Sequence, residues 1–308
     1  MSTRLRVLLS VATALVLCAG TSMSVQGQEG GGGGGRGGAV DGPPIPPRNQ
    51  FAPVPGGPIP RRADGKPDLS GYWTPVTTAG LTNTVILEEH PGGFGITAGH
   101  SLIIDPADGK IPYQPWALAE RDRRRDDANG YEDPVGHCEY YDIGRVQMFV
   151  QEIMYSGNYI ILNVTQHITR VVDMTRKTHL PANIKLWNGD PIGHWEGDTL
   201  VVESTNFTGR TRMAIGGDFY SPGAKITERW TPVDANQLRW TLTVDDPAVF
   251  TRPWTMTSAQ NPMRRLNGQR PDFDGEDTCN EGNTDLFHLR GTFEQAHGAG
   301  KPWVVVKP

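Results

Sequence analysis

The residues from Leu238 to Val244 alternate between apolar and polar side chains without interruption. One face of this segment carries Leu238, Trp240, Leu242 and Val244, and the other carries Arg239, Thr241 and Thr243. A β-strand with this pattern packs one face against a core and leaves the other face in water. The chain is therefore expected to contain a sheet with one buried face.

Similar short runs of branched and aromatic residues stand along the chain at the spacing of hairpins. They predict strands at residues 69–73, 101–104, 146–153, 159–164, 168–174, 199–202, 225–231 and 250–257. Strands in this succession favour an all-β fold, an antiparallel up-and-down barrel of the lipocalin-like type, because closure removes exposed sheet edges. A β-sandwich is the alternative. After Asn261 we expect a polar loop, with residues 303–306 as the strand that closes the sheet.

Two local signals add detail to this barrel. Glu196-Gly197-Asp198 predicts a hairpin turn, because Gly adopts positive φ without steric conflict and an Asp side chain bonds nearby backbone. Pro115 and residues 116–125 predict one short helix, since Pro suits a first helical position and no Gly, Pro or β-branched residue follows. Acidic residues interleave with the arginines of this helix, which indicates a solvated face rather than a basic patch.

The N-terminal 62 residues differ in composition from the rest. Arg4 and Arg6 precede an apolar run that ends at Leu17, which is typical of a signal peptide over residues 1–27. Residues 28–62 are rich in Gly and then in Pro, which predicts a disordered linker before a β-barrel domain at residues 63–308. Lipidation of Cys18 is not expected, because Leu17 stands where a lipobox favours Gly or Ala. The predicted location is periplasmic or extracellular.

Charge and cysteine content restrict the partners and the compartment. Loss of the two signal-peptide arginines takes the formal net charge from −5 to −7. An acidic mature protein is poorly suited to nucleic acid or anionic lipid, so we expect neither partner and no membrane insertion after cleavage. Cys138 and Cys279 remain, and in an oxidising compartment this pair predicts a disulfide. Two unpaired thiols are the alternative, and the sequence does not predict the oligomeric state.

Distinctive short segments run through the predicted domain: ADGKPDLSGYW at residues 63–73, PYQPWA at 112–117, GHWEGDTLVV at 193–202, TER at 227–229, DDP at 245–247 with TRPW at 251–254, and CNE at 279–281. Together these segments resemble a family of exported bacterial proteins of uncharacterised function. The resemblance implies a shared architecture and export. It brings no catalytic residue and no ligand with it.

Glu228 is the first candidate for a functional residue. Alternation places its side chain on the same face as those of Ile226 and Trp230, so an inward-facing Glu228 would lie in an apolar barrel. Such a carboxyl group is a candidate general acid or base, or a hydrogen-bond anchor for a ligand. The alternatives are a buried Glu paired with Arg170 or Arg252, or a surface residue if the opposite face of the strand is buried.

His194 is the second candidate, because a histidine beside carboxylates can act as a general base. Its alternative is an exposed position on the flank of the turn. The histidines show no local metal-ligand spacing, and the chain has no Gly-x-Ser-x-Gly elbow and no nucleotide-binding loop. No metal and no cofactor are predicted.

Three functions follow from these candidates. The leading hypothesis is an exported barrel that binds a small apolar or aromatic molecule, with Trp230, Trp240 and Trp254 as cavity walls and Glu228 as a polar anchor. The second is a cofactor-independent lyase, isomerase or hydrolase that uses Glu228 and His194 in the same cavity. The third is a structural envelope protein with a solid core.

Overall fold

The structure is a computed structural model, and it describes residues 56–75, 86–91, 98–148, 151–164, 168–258 and 261–266. These residues all belong to one compact unit of the chain. The predicted signal peptide, most of the predicted linker, Cys279 and the predicted closing strand at residues 303–306 lie outside the described residues. None of the described helices is long and apolar enough to cross a bilayer.

Within the described ranges the chain is mainly β. The strands are β1 (Gly71–Thr74), β2 (Ile103–Asp105), β3 (Gln151–Ser156), β4 (Tyr159–Val164), β5 (Ile168–Asp173), β6 (Asp190–Glu196), β7 (Thr199–Thr205), β8 (Lys225–Asp234), β9 (Gln237–Asp245), β10 (Trp254–Thr257) and β11 (Met263–Leu266). The helix α1 (Pro115–Arg125) has the predicted bounds, and Glu120 pairs with Arg123 and Arg124 on it as the interleaved charges predicted. Short 3-10 helices cover Asp127–Glu132, Pro134–His137 and Arg145–Met148.

The described strands close into a barrel. Their order is β11-β1-β3-β4-β5-β6-β7-β8-β9, and β11 pairs again with β9 to complete a ring of nine strands. Two strands pair with the same edge of β9. β11 pairs with its beginning, where Leu238 is opposite Met263, and β10 pairs with its end, where Val244 is opposite Trp254. The expected all-β barrel is therefore confirmed, while β10 and β2 extend the sheet beyond the ring.

The barrel is mixed, so the prediction of purely antiparallel pairing is wrong at one place. β5 and β6 run parallel, with Asp173 opposite Ile192. A parallel pair needs a long connection, whereas two residues suffice for an antiparallel hairpin. Residues 174–189 supply that length between the two strands, and the run of hairpin-spaced strands gave no sign of the change in direction.

Several predicted strands have different bounds in the structure. Residues 145–148 form a 3-10 helix, so the strand predicted at 146–153 begins only at Gln151. The polar loop expected after Asn261 is wrong for residues 263–266, because these form β11 between β1 and β9. The strand predicted at 250–257 is shorter as well, because β10 begins at Trp254, directly after Pro253, which cannot donate a hydrogen bond to a sheet.

The barrel interior is filled by the apolar face that the alternation predicted. Leu238, Trp240, Leu242 and Val244 each have 0% of their surface accessible, and Arg239 on the other face is exposed. Trp230 and Trp240 stand directly opposite each other on β8 and β9, with ring centroids 6.1 Å apart in an edge-to-face arrangement. Large interlocking side chains of this kind supply most of the burial energy of a small barrel.

Residues 56–70 form a strap across the barrel end that carries the hairpin turns, and we call them the N-terminal strap. Arg61 makes two hydrogen bonds to Asp198 in the β6–β7 turn, at 2.9 and 2.8 Å. The carbonyl of Gly57 accepts from the backbone N–H of Ala235 in the β8–β9 turn. The Gly197 turn predicted from sequence thus also serves as a docking point for the start of the domain.

The strap is anchored more firmly at its C-terminal end. Leu69 is 1% exposed and joins the main core. Its N–H donates to the hydroxyl of Tyr155, and its carbonyl accepts from the indole of Trp73 at 2.8 Å. The Arg61 contact is solvated on both sides, whereas the Leu69 contact is buried.

This contrast predicts two different effects of substitution. Leu69→Ala is expected to lower the free energy of unfolding by about 2–5 kcal/mol, because it removes a core side chain and leaves a cavity. Arg61→Gln is the matched control in the same strap, and it should lower the free energy of unfolding far less, because the ion pair of Arg61 with Asp198 is exposed to water. Urea denaturation of both variants measures the difference, and equal effects would show that the strap is not packed as described.

Candidate functional site

Glu228 lies inside the barrel and is paired. It shares the inner face of β8 with Ile226 and Trp230, and none of its surface is accessible. Nη2 of Arg170 donates to Oε1 of Glu228 at 2.5 Å, and the indole Nε1 of Trp240 donates to Oε2 at 3.2 Å. Of the sequence alternatives for this residue, the structure has the buried Glu–Arg pair with Arg170. Arg252 instead pairs with Asp105 on the surface.

Arg170 reaches this carboxylate from the other side of the interior. It lies on β5 between Ile168 and Val172, whose side chains share its inner face. Its Nη2 is also 3.4 Å from the hydroxyl oxygen of Ser204. Its Nε is buried and has no hydrogen-bond partner. Because β6 and β7 separate β5 from β8 in the ring, the ion pair spans the barrel rather than joining neighbouring strands.

A second buried carboxyl group, Asp142, belongs to the same region. Its Oδ2 accepts hydrogen bonds from Tyr220 at 2.5 Å and from Thr211 at 2.7 Å, and its Oδ1 accepts from the N–H of Gly144. Burial raises the pKa of Asp142, while these hydrogen bonds and the charge of Arg170 act in the opposite direction. Burial and the neighbouring Asp142 raise the pKa of Tyr220 well above its usual range. Perturbed groups of this kind often mark functional sites.

We call these side chains the Arg170 cluster. Its members are Arg170, Glu228, Trp240, Ser204, Asp142, Tyr220 and Thr211. Arg170 is 6% exposed, and every other member is 1% exposed or less. The small accessible surface of the cluster therefore belongs mainly to Arg170.

His194 does not join Glu228, although the sequence grouped them as a candidate acid–base pair. His194 pairs in register with Val201, and Val201 pairs with Arg229, which puts all three side chains on the face opposite to Glu228. Nε2 of His194 lies 3.2 Å from Oε1 of Glu196, whose other oxygen accepts from Arg229 at 2.7 Å. This surface group is the exposed flank of the turn, and the sheet separates it from the interior.

The three candidate wall residues are all core residues, but they do not lie together. Trp230 and Trp240 form a cross-strand pair, and Trp240 donates a hydrogen bond to Glu228. Trp254 pairs with Val244, which pairs with Ile226, and it packs on Phe250 at 5.5 Å. Ile226 is four residues from Trp230 on β8, so Trp254 and Trp230 are about 13 Å apart along the strand direction. None of the three indoles has accessible surface.

A separate polar group holds the long β5–β6 connection on the outside of the sheet. Asp190 is 2% exposed and accepts from both terminal nitrogens of Arg176 and from the N–H of Leu180, and Nδ1 of His179 lies 3.2 Å from it. Burial alone would raise the pKa of Asp190, but the bonds from Arg176 and Leu180 lower it overall. This carboxylate fixes the connection that makes the parallel pair possible.

Sequence reasoning missed part of the Arg170 cluster. Arg170 and Ser204 carried a usable signal, since each interrupts an apolar face, with Ile168 and Val172 in β5 and with Val202 in β7. Asp142 and Tyr220 lie in irregular segments where no periodicity shows which way a side chain points. Their position was therefore not readable from the pattern.

The described residues contain no group of three or more His, Cys, Asp or Glu side chains arranged to hold a metal ion. Cys138 is disulfide-bonded. Its pairing with Cys279 stays a prediction, because Cys279 lies outside the described residues. Comparisons with protein-family models, with curated proteins and with solved structures find no match to this chain.

The buried ion pair predicts strong coupling between its two members. Glu228→Gln leaves the guanidinium group buried without its counter-ion, and it should lower the free energy of unfolding by about 3–5 kcal/mol. Arg170→Met should lower the free energy of unfolding by a similar amount, because it leaves the carboxylate of Glu228 buried without its counter-ion. The double variant Arg170→Met/Glu228→Leu should recover most of the loss, because no unpaired charge remains. A double-mutant cycle by urea denaturation measures this, and additive losses would contradict the pairing.

The pKa shifts predict opposite pH dependence for two aspartates. The folded-state pKa of Asp142 is above its unfolded value of 3.8. Its favourable contribution is therefore complete below that value and is lost as the pH rises through the folded pKa. Asp142→Asn should thus become more stable relative to the native protein as the pH increases from about 4 to about 7.

Asp190→Asn is the matched control. The folded-state pKa of Asp190 is lowered, so its contribution is present above the unfolded value and is lost as the pH falls through the folded pKa. This variant should become less stable relative to the native protein as the pH rises from about 3 to about 5. Urea denaturation of both variants and of the native protein from about pH 3 to about pH 7 measures the two trends. If both variants change in the same direction, the raised pKa of Asp142 is wrong.

Proposed function

We propose that this protein is an exported β-barrel that binds a small apolar or aromatic molecule at the Arg170 cluster. The observation that carries the proposal is the Nε atom of Arg170, a buried donor without a partner. Buried polar groups are almost always hydrogen-bonded, and leaving one unpaired is unfavourable by about 1–3 kcal/mol, more for a charged group. A bound molecule would supply the missing acceptor.

The distribution of accessible surface supports Arg170 as the place where a ligand meets the cluster. Glu228 and Trp240 have none, and their polar side-chain atoms are already used: Oε2 of Glu228 accepts from Trp240, and Oε1 accepts from Arg170. Glu228 is then an indirect anchor that holds Arg170 in position. Trp240 is the wall residue nearest to the site, because it touches the cluster. Trp230 and Trp254 would act as walls only through a shift of packed side chains.

Export is the second part of the proposal. It is supported by the signal-like N-terminus and by the disulfide at Cys138, since disulfides persist mainly in oxidising compartments. The resemblance to exported bacterial proteins points to the same location. Periplasmic or extracellular ligands would then reach the barrel directly.

Native mass spectrometry of protein isolated from the periplasm or the culture medium tests the proposal. We expect a bound small molecule on the native protein. The Arg170→Met/Glu228→Leu variant is expected to lose that molecule while it remains folded by circular dichroism. A native protein that carries nothing, and binds no apolar probe, would instead have a solid structural core.

A further inference from the structure

The unused hydrogen-bonding capacity of the Arg170 cluster is that of a donor. Both oxygens of Glu228 accept hydrogen bonds, from Arg170 and from Trp240. Both oxygens of Asp142 accept as well, from Gly144 and from the two hydroxyl groups. The group left without a partner is Nε of Arg170, whose side chain is 5% exposed. A molecule at this place would therefore have to present an acceptor.

The charges of the cluster restrict the acceptor further. One guanidinium group serves two carboxyl groups, Glu228 by direct contact and Asp142 through its charge. A ligand carboxylate would add a third acidic group beside a single cation, and burying an uncompensated charge is strongly unfavourable. A ligand cation would face the free N–H of the guanidinium. A neutral acceptor avoids both penalties.

The surroundings determine the rest of the molecule. Val202 and Leu242 flank Glu228 in register on β7 and β9, and Leu162 stands opposite Arg170 on β4. These three side chains are 1% exposed or less. A ligand body in contact with them would be apolar, because they offer no hydrogen-bonding atom.

We infer that the Arg170 cluster takes a neutral carbonyl compound, a ketone or an ester with an apolar body, whose oxygen accepts a hydrogen bond from Nε of Arg170. This inference rests on the proposed function and names the ligand class of the same site. Arg170 is then the residue that distinguishes the carbonyl compound from a hydrocarbon of the same shape.

Matched probes test the ligand class. Three naphthalenes share one body: 2-acetylnaphthalene carries the neutral carbonyl, 2-ethylnaphthalene lacks it, and 2-naphthoate carries an ionised carboxylate. A phenyl series and a linear ten-carbon series repeat the comparison with smaller and more flexible bodies. Equilibrium dialysis against the full mature protein gives the three dissociation constants of each series.

We expect the ketone to bind at least about tenfold tighter than the hydrocarbon, as one hydrogen bond to a charged group would give. The carboxylate should bind most weakly. The Arg170→Met/Glu228→Leu variant should bind the ketone more weakly than the native protein does, and no more tightly than it binds the hydrocarbon. In native protein, the infrared carbonyl stretch of the bound ketone should shift to lower frequency, a readout that needs no variant.

Each other outcome has a distinct meaning. Equal binding of ketone and hydrocarbon, or a preference for the carboxylate, would overturn the carbonyl assignment and leave the binding function in place. An unshifted carbonyl stretch in bound ketone would overturn it as well. If no probe of any series binds and the isolated protein carries no ligand, both the assignment and the proposed function fail.

Discussion

The ion pair between Arg170 and Glu228 lies where a β-barrel usually has only apolar side chains. Removing two charges from water is expensive, and their mutual attraction often fails to repay it. Here Trp240 and Ser204 add hydrogen bonds that improve the balance. The pair also specifies register. A slip of β8 by one residue would turn Glu228 outward and leave Arg170 as a buried charge without its counter-ion.

Each half of this pair carries the same kind of signal in the sequence, although only Glu228 was placed by it. Period-two alternation put Glu228 on the face of Ile226 and Trp230, and that face is the buried one. Arg170 interrupts the apolar face of Ile168 in the same way. Alternation states which residues of one strand share a face. It does not state which residue of another strand lies across the barrel, so Arg170 stood beside Arg252 as an equal alternative.

The predictions failed where the position of a side chain depends on how its strand pairs with neighbouring strands, and not on the sequence of the strand itself. His194 and Glu228 both belong to well-predicted hairpins, yet only the register through Val201 and Arg229 shows that the sheet lies between them. The parallel β5–β6 pair is a similar case. Its direction depends on the path of residues 174–189, which is held by the burial and bonding of Asp190 and not by any repeating pattern.

Not every unpaired polar atom in this core has the same meaning. The indole N–H groups of Trp230 and Trp254 also lack partners, but they are neutral and have no accessible surface. Nε of Arg145 is another buried guanidinium donor without a partner, and it lies in the 3-10 helix before β3 rather than on a barrel strand. The guanidinium of Arg170 is charged and lies within a polar cluster, and the Arg170 side chain as a whole is 5% exposed. Leaving a donor of a charged group unpaired is more unfavourable than leaving an indole unpaired. Nη2 of this guanidinium fixes β5 to β8, and Nε, which lies on the same edge, is the donor of the cluster that has no partner among the described residues.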